Sequence, residues 1–280
     1  MHIPLITPFD ASGGVAFDAL SALAHETIDA GATSLVALGT TGEPSSLTAS
    51  ERHQVRTLLA SICRDRRVRL LVGANDAGAL RDLAGLPGVT GALTLVPPFL
   101  RPGEDGAVAH LGALAAGAPV PLTVYHVPYR TAQPLSAAAL RRIAAIPGVT
   151  GVKLATGGID AETIDLLADP PPGFEILCGD DAFASALLAL GAHGAVMASA
   201  QVLPCAYATL IACWQAGDVD RARASGHHLA RLSAALFAEP NPTVIKGVLH
   251  AQGRIPSPAV RLPLLPATAA SVEAALSLLP

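Results

Sequence analysis

Of the eighteen lysine and arginine side chains in this sequence, only two are lysines, Lys153 and Lys246. Where a positive charge alone is wanted, the chain uses arginine. A retained lysine therefore raises the question of what arginine could not supply. Arginine stays protonated and is a poor nucleophile, whereas a desolvated lysine can lose its proton and attack a carbonyl. Lys153 closes the apolar run Gly151-Val152-Lys153, and the chemistry expected of it is nucleophilic attack of a free amine on a carbonyl carbon. The competing reading is a salt bridge at a barrel rim.

Other segments offer partners for that chemistry. Gly39-Thr40-Thr41-Gly42-Glu43 supplies two hydroxyls and backbone N–H groups in a glycine-flanked turn, which can hold a carboxylate. It lacks the Gly-Lys-Ser/Thr ending of a phosphate-binding loop. Tyr125 puts a phenol at a strand end, where it can relay protons at an imine carbon or simply pack in the core. Arg130 can clamp a carboxylate with two parallel hydrogen bonds or stand as a solvated loop charge. Asp180 and Asp181 are read as caps of the following helix. The nine histidines form no metal or triad pattern, and the four cysteines show no zinc-ligand spacing.

These residues need a frame. Short apolar runs at Ile3–Ile6, Ser34–Ala37, Arg69–Val72, Gly91–Leu95, Pro121–Tyr125, Gly151–Lys153, Phe174–Cys178 and Gly194–Met197 read as strands buried on both faces. Helical patterns alternate with them, the second opened by a capping box of Thr48 and Glu51. The third unit, after Arg81, is short. Eight strand–helix units predict a (β/α)8 TIM barrel, whose active site forms at the C-terminal strand ends. The expected division is a barrel over 1–217 and a C-terminal helical extension over 218–280.

Composition narrows the function classes. Hydrophobic residues make up 51% and charged residues 14%, with a net charge of −4. No basic block suggests nucleic acid, no apolar run is long enough to span a membrane, and no signal-peptide pattern opens the chain. The expectation is a cytoplasmic enzyme with a small-molecule substrate.

Jointly, Thr7-Pro8-Phe9, Gly39–Glu43, Tyr125-His126-Val127-Pro128-Tyr129-Arg130-Thr131, Gly151–Gly157, Gly179-Asp180-Asp181, Gly191–Gly194 and Glu239-Pro240-Asn241-Pro242 resemble the dihydrodipicolinate synthase and N-acetylneuraminate lyase family, nearly end to end. The resemblance implies that Lys153 forms the imine and that Tyr125 shuttles protons. Thr40 and Thr41 would hold the pyruvate carboxylate and share in the relay. Gly179 and Val196 match backbone positions lining the pocket, and Lys246 falls in a structural helix. Arg130 followed by Thr131 looks like the synthase branch, where the arginine receives the carboxylate of aspartate semialdehyde. The family implies a homo-oligomer, dimer or tetramer. The protonated imine is the electron sink, so no metal or organic cofactor is required.

The sequence departs from that branch at Phe99, which stands where a tyrosine reaches into a neighbouring subunit's relay and cannot itself pass a proton. Phe99 favours a second reading, an aldolase or dehydratase acting on a 2-oxo-3-deoxy sugar acid through the same imine. A third reading is a non-catalytic barrel that binds a 2-oxo acid.

Overall fold

A computed structural model describes all residues, 1–280. Its centre is one parallel sheet of eight strands in sequence order: β1 (His2–Pro4), β2 (Ser34–Ala37), β3 (Arg69–Gly73), β4 (Gly91–Leu95), β5 (Leu122–His126), β6 (Val149–Leu154), β7 (Glu175–Cys178) and β8 (Gly194–Ala195). The sheet closes on itself through a parallel bridge between His2 and Val196 and the bond from Met197 N–H to the His2 carbonyl. This is the expected barrel.

The strands form where the sequence runs continuously apolar because both faces are covered. The outer faces pack against the helices in one aliphatic core that includes Ile3, Leu35, Leu70, Leu122, Val152 and Ile176. The inner faces make a separate small cluster of Val36, Leu71, Leu93, Tyr125, Val127, Ala155, Leu177 and Val196. That inner plug is the floor on which the polar mouth sits.

Two strands are shorter than their apolar runs suggest. Beyond Leu5, whose N–H still bonds the Val36 carbonyl, the chain leaves the ladder, and the Ile6 N–H bonds the side chain of the buried Gln201. In β8 only Gly194 and Ala195 pair with β7. The short third unit is a helix of five residues, Ala77–Arg81, capped by the Asp76 side chain. Thr48 and Glu51 make both bonds of the capping box. No helix is long and apolar enough to cross a membrane.

Past β8, helices run over Pro204–Ala216, Val219–Leu236, Thr243–Ala251 and Ala269–Leu276. Val219–Leu236 packs against Pro204–Ala216, Ala184–Ala189 and the turn after β7, which brings the C-terminal part of the chain to the barrel mouth.

Candidate active site

Strand register creates the central pair. Tyr125 on β5 lies directly opposite Lys153 on β6, and Lys153 lies opposite Leu177 on β7. Side chains alternate along a strand, so Tyr125 and Lys153 both face the barrel interior while His126 and Leu154 face the helices. The Lys153 ammonium nitrogen sits 4.2 Å from the centre of the Tyr125 ring. Each residue is only 7% exposed. The Tyr125 hydroxyl makes no hydrogen bond within the chain and is free to serve a substrate.

The lysine can lie flat across the mouth only because residue 179 has no side chain. A Cβ at Gly179 would stand 2.7 Å from both Cγ and Cε of Lys153 and 2.8 Å from the Leu154 carbonyl oxygen. Its backbone is pinned as well, since Gly179 N–H donates to that same carbonyl at 2.6 Å.

The turn after β2 forms the opposite wall. Gly42 N–H bonds the Gly39 carbonyl and Glu43 N–H bonds the Thr40 carbonyl, making a 3-10 turn over Thr40–Gly42. Thr7 Oγ1 donates to the Gly42 carbonyl at 2.8 Å. The Asn241 side-chain amide donates to Thr41 Oγ1 at 3.0 Å, which leaves the Thr41 hydroxyl hydrogen for another acceptor.

Lys153, Tyr125, Thr40, Thr41, Arg130, Gly179 and Val196 all line one cavity of about 170 Å³. Arg130 is at its exposed rim, on the helical turn Pro128–Thr131, where its Nε donates to the Tyr129 hydroxyl at 3.0 Å. Phe99 is not in the cavity of its own chain. It is 87% exposed, on a backbone with φ of 69°.

Asp180 and Asp181 do not cap the following helix, contrary to expectation. Asp180 Oδ2 accepts from Gly157 N–H at 2.7 Å, and Asp181 Oδ2 accepts from Ser199 N–H at 2.6 Å. These bonds tie together the loops after β6, β7 and β8, a non-local role that local spacing does not reveal. Burial pushes the Asp181 carboxyl up to about 6, with the Ser199 bonds and the Lys153 charge pulling the other way. Burial also raises Asp180. His126 is buried behind β5 and held down to about 4 by desolvation, and His193 Nδ1 accepts from Ile176 N–H; neither lines the cavity.

Sequence reasoning missed the contribution of the C-terminal part. Ser233, Ala234, Phe237 and Asn241 line the cavity, and Asn241 Oδ1 is buried with no partner. Asn241 falls within the motif Glu239–Pro242, but nothing local signals that it reaches Thr41, 200 residues away.

Set beside known proteins, the chain has consistent relatives. The sequence profile of the Dihydrodipicolinate synthetase family matches residues 1–279. The 4-hydroxy-tetrahydrodipicolinate synthase of Sorangium cellulosum is 38% identical over 272 residues, 94% of this chain and 89% of that one. That of Synechococcus elongatus is 35% identical over 271 residues, 95% and 90% of the two chains. A crystal structure of the chloride-inhibited dihydrodipicolinate synthase from Acinetobacter baumannii, complexed with pyruvate, superposes with a TM-score of 0.93 at 31% identity, covering 99% of this chain and 96% of that one. A dihydrodipicolinate synthase from Bacillus anthracis superposes with a TM-score of 0.91 at 30% identity, over 99% and 96%. The chain thus belongs to the dihydrodipicolinate synthetase family.

Proposed function

We propose that this protein condenses pyruvate with aspartate semialdehyde to 4-hydroxy-tetrahydrodipicolinate through a Lys153 imine. The observation that carries the reading is the register pairing of Tyr125 with Lys153, an amine laid over a phenol at the mouth of an apolar barrel. The names of its relatives support the same reaction.

The Lys153 amine attacks the ketone carbon of pyruvate and water leaves. A proton lost from the methyl group turns the imine into an enamine, with the protonated imine nitrogen receiving the electron pair. The enamine carbon adds to the aldehyde, and the substrate's own amine then displaces Lys153 as the ring closes. The chemistry balances without a cofactor. Thr40 and Thr41 receive the pyruvate carboxylate through hydroxyl and backbone N–H groups, while Tyr125 and Thr40 move protons. Gly179 and Val196 contribute wall rather than reacting groups. Residues 1–217 act as the catalytic barrel and 218–280 as an extension that completes its mouth. The active form is a cytoplasmic homo-oligomer, an assignment supported by the exposed apolar pair Phe99 and Leu100.

Two consequences can be measured. Tyr125→Phe keeps the ring under the amine but removes the proton carrier, so kcat at saturating pyruvate should fall about a hundredfold or more. Unchanged turnover would remove Tyr125 from the relay. Arg130→Ala should raise KM for aspartate semialdehyde about tenfold to a hundredfold, the worth of charge-assisted hydrogen bonds, with little change in KM for pyruvate.

Phe99 keeps the sugar-acid alternative in view. Coupled assays with aspartate semialdehyde and with 2-keto-3-deoxygluconate decide between them. Turnover of the first supports the synthase reading, and turnover of the second alone replaces it.

A further inference from the structure

The other lysine, Lys246, is fully buried in the helix Thr243–Ala251, behind the turn that follows β2. Its ammonium is 2.5 Å from Glu43 Oε1, donates to the Ala259 carbonyl at 3.0 Å, and stands 3.9 Å from the centre of the Phe9 ring. Glu43 is itself buried, and its second oxygen accepts from Arg261 N–H at 3.0 Å. The Arg261 guanidinium is committed elsewhere. It grips Glu51 with two bonds, donates to the Ser46 and Gly13 carbonyls, and stacks 4.4 Å from the Phe9 ring centre.

A buried ion pair is a poor way to gain stability, because desolvating both charges offsets their attraction. Its more dependable use is to fix one geometry. What it fixes here is a backbone that needs fixing. Glu43 has φ of 51°, a left-handed conformation unfavourable for a residue with a side chain, and it ends the turn that carries Thr40 and Thr41. The space between carboxylate, carbonyl and ring face suits a compact ammonium, whereas a guanidinium would bring a planar fork of donors with no matching acceptors. That answers, for the second lysine, why an arginine-rich chain kept it.

We propose that Lys246 is a positioning residue for 2-oxo acid binding: by holding Glu43 from the C-terminal helix, it sets the turn that presents Thr40 and Thr41 to the substrate carboxylate. The proposal rests on the imine reading above. It requires that loss of the pair weaken pyruvate binding more than it slows the bound substrate.

The test compares wild type with the double variant Glu43→Gln/Lys246→Met, which removes both charges and leaves no unpaired ion in the core. Half-saturating pyruvate is measured in borohydride trapping and in turnover, alongside the melting temperature. The variant should need about tenfold more pyruvate, with kcat at saturation falling less than about threefold, since small misplacements of a binding group carry penalties of this size. Half-saturation within about twofold of wild type in a folded variant overturns the proposal.

A second measurement needs no variant. Burial lowers the Lys246 pKa to about 8 against the opposing pull of Glu43, with the Arg261 charge lowering it further. The pair is therefore complete below that pH and lost above it, so half-saturating pyruvate in the wild type should climb as pH rises through about 8. The charged groups facing Lys246 are Glu43 and Arg261, with Glu51 behind the latter, and the double variant should lack this inflection. An inflection that persists unchanged in the double variant belongs to another group and counts against the proposal. If wild type is not trapped by borohydride at all, it is the imine reading that has failed, and the positioning role falls with it.

Discussion

Lys153→Arg should cost at least about 10⁴-fold in kcat, because the variant keeps the charge but loses the nucleophile. A guanidinium stays protonated at any working pH and its nitrogens are delocalised, so no imine can form. The substitution is a sharp test since a rim salt bridge, the bland role for this lysine, would survive it. Lys153 makes no ion pair within the chain; its ammonium faces the Tyr125 ring. Turnover of the purified, folded variant close to that of wild type would remove Lys153 from the chemistry.

The second large effect is expected at a residue with no functional group. Gly179→Ala introduces a methyl within 2.7 Å of two Lys153 side-chain carbons and within 2.8 Å of a backbone oxygen. The backbone cannot retreat without breaking the bond from Gly179 N–H to Leu154, so the flexible lysine must move. Displacing a reacting amine by about 1 Å costs on the order of a hundredfold in rate. We expect kcat/KM to fall by about that much, with slower pyruvate trapping and a lowered melting temperature, because the contact with the Leu154 carbonyl remains when the lysine moves. Full activity would mean that Lys153 reaches the substrate along another path. A collapse of stability with normal activity per folded molecule would make Gly179 a packing residue only.

Much of this site was legible in the sequence because barrel chemistry gathers at strand ends and this chain marks its strands with apolar runs. Lys153 and Tyr125 each end such a run, and their common inward direction follows from alternation. Their direct pairing depends on the β5–β6 register, which includes a shift between Leu122 and Thr123 that no local pattern announces. The first strand's apolar run outlasts its pairing at Ile6, whose N–H turns to the Gln201 side chain while Leu5 N–H still bonds the Val36 carbonyl. At the eighth, Val196 and Met197 lie past the regular strand yet keep backbone bonds to the Cys178 and His2 carbonyls, so the apolar run there follows the closure of the barrel.

What the sequence hid was held in long-range contacts. Asp180 and Asp181 looked like caps because aspartate before a helix commonly is one. They serve instead as ties between neighbouring loops. Asn241, Lys246 and Arg261 reach the turn after β2 from the far end of the chain, and no spacing rule connects them with Thr41 or Glu43. A lysine in a buried helix reads as structural until the fold reveals which turn it holds.

The most direct test of the imine is to reduce the wild-type protein with sodium borohydride in the presence of pyruvate, digest it and weigh the peptides. The account predicts that the peptide containing Lys153 alone gains the mass of a reduced pyruvyl adduct, and that the peptide containing Lys246 is unchanged. An unmodified Lys153 peptide under saturating pyruvate, or an adduct on Lys246 instead, would contradict it.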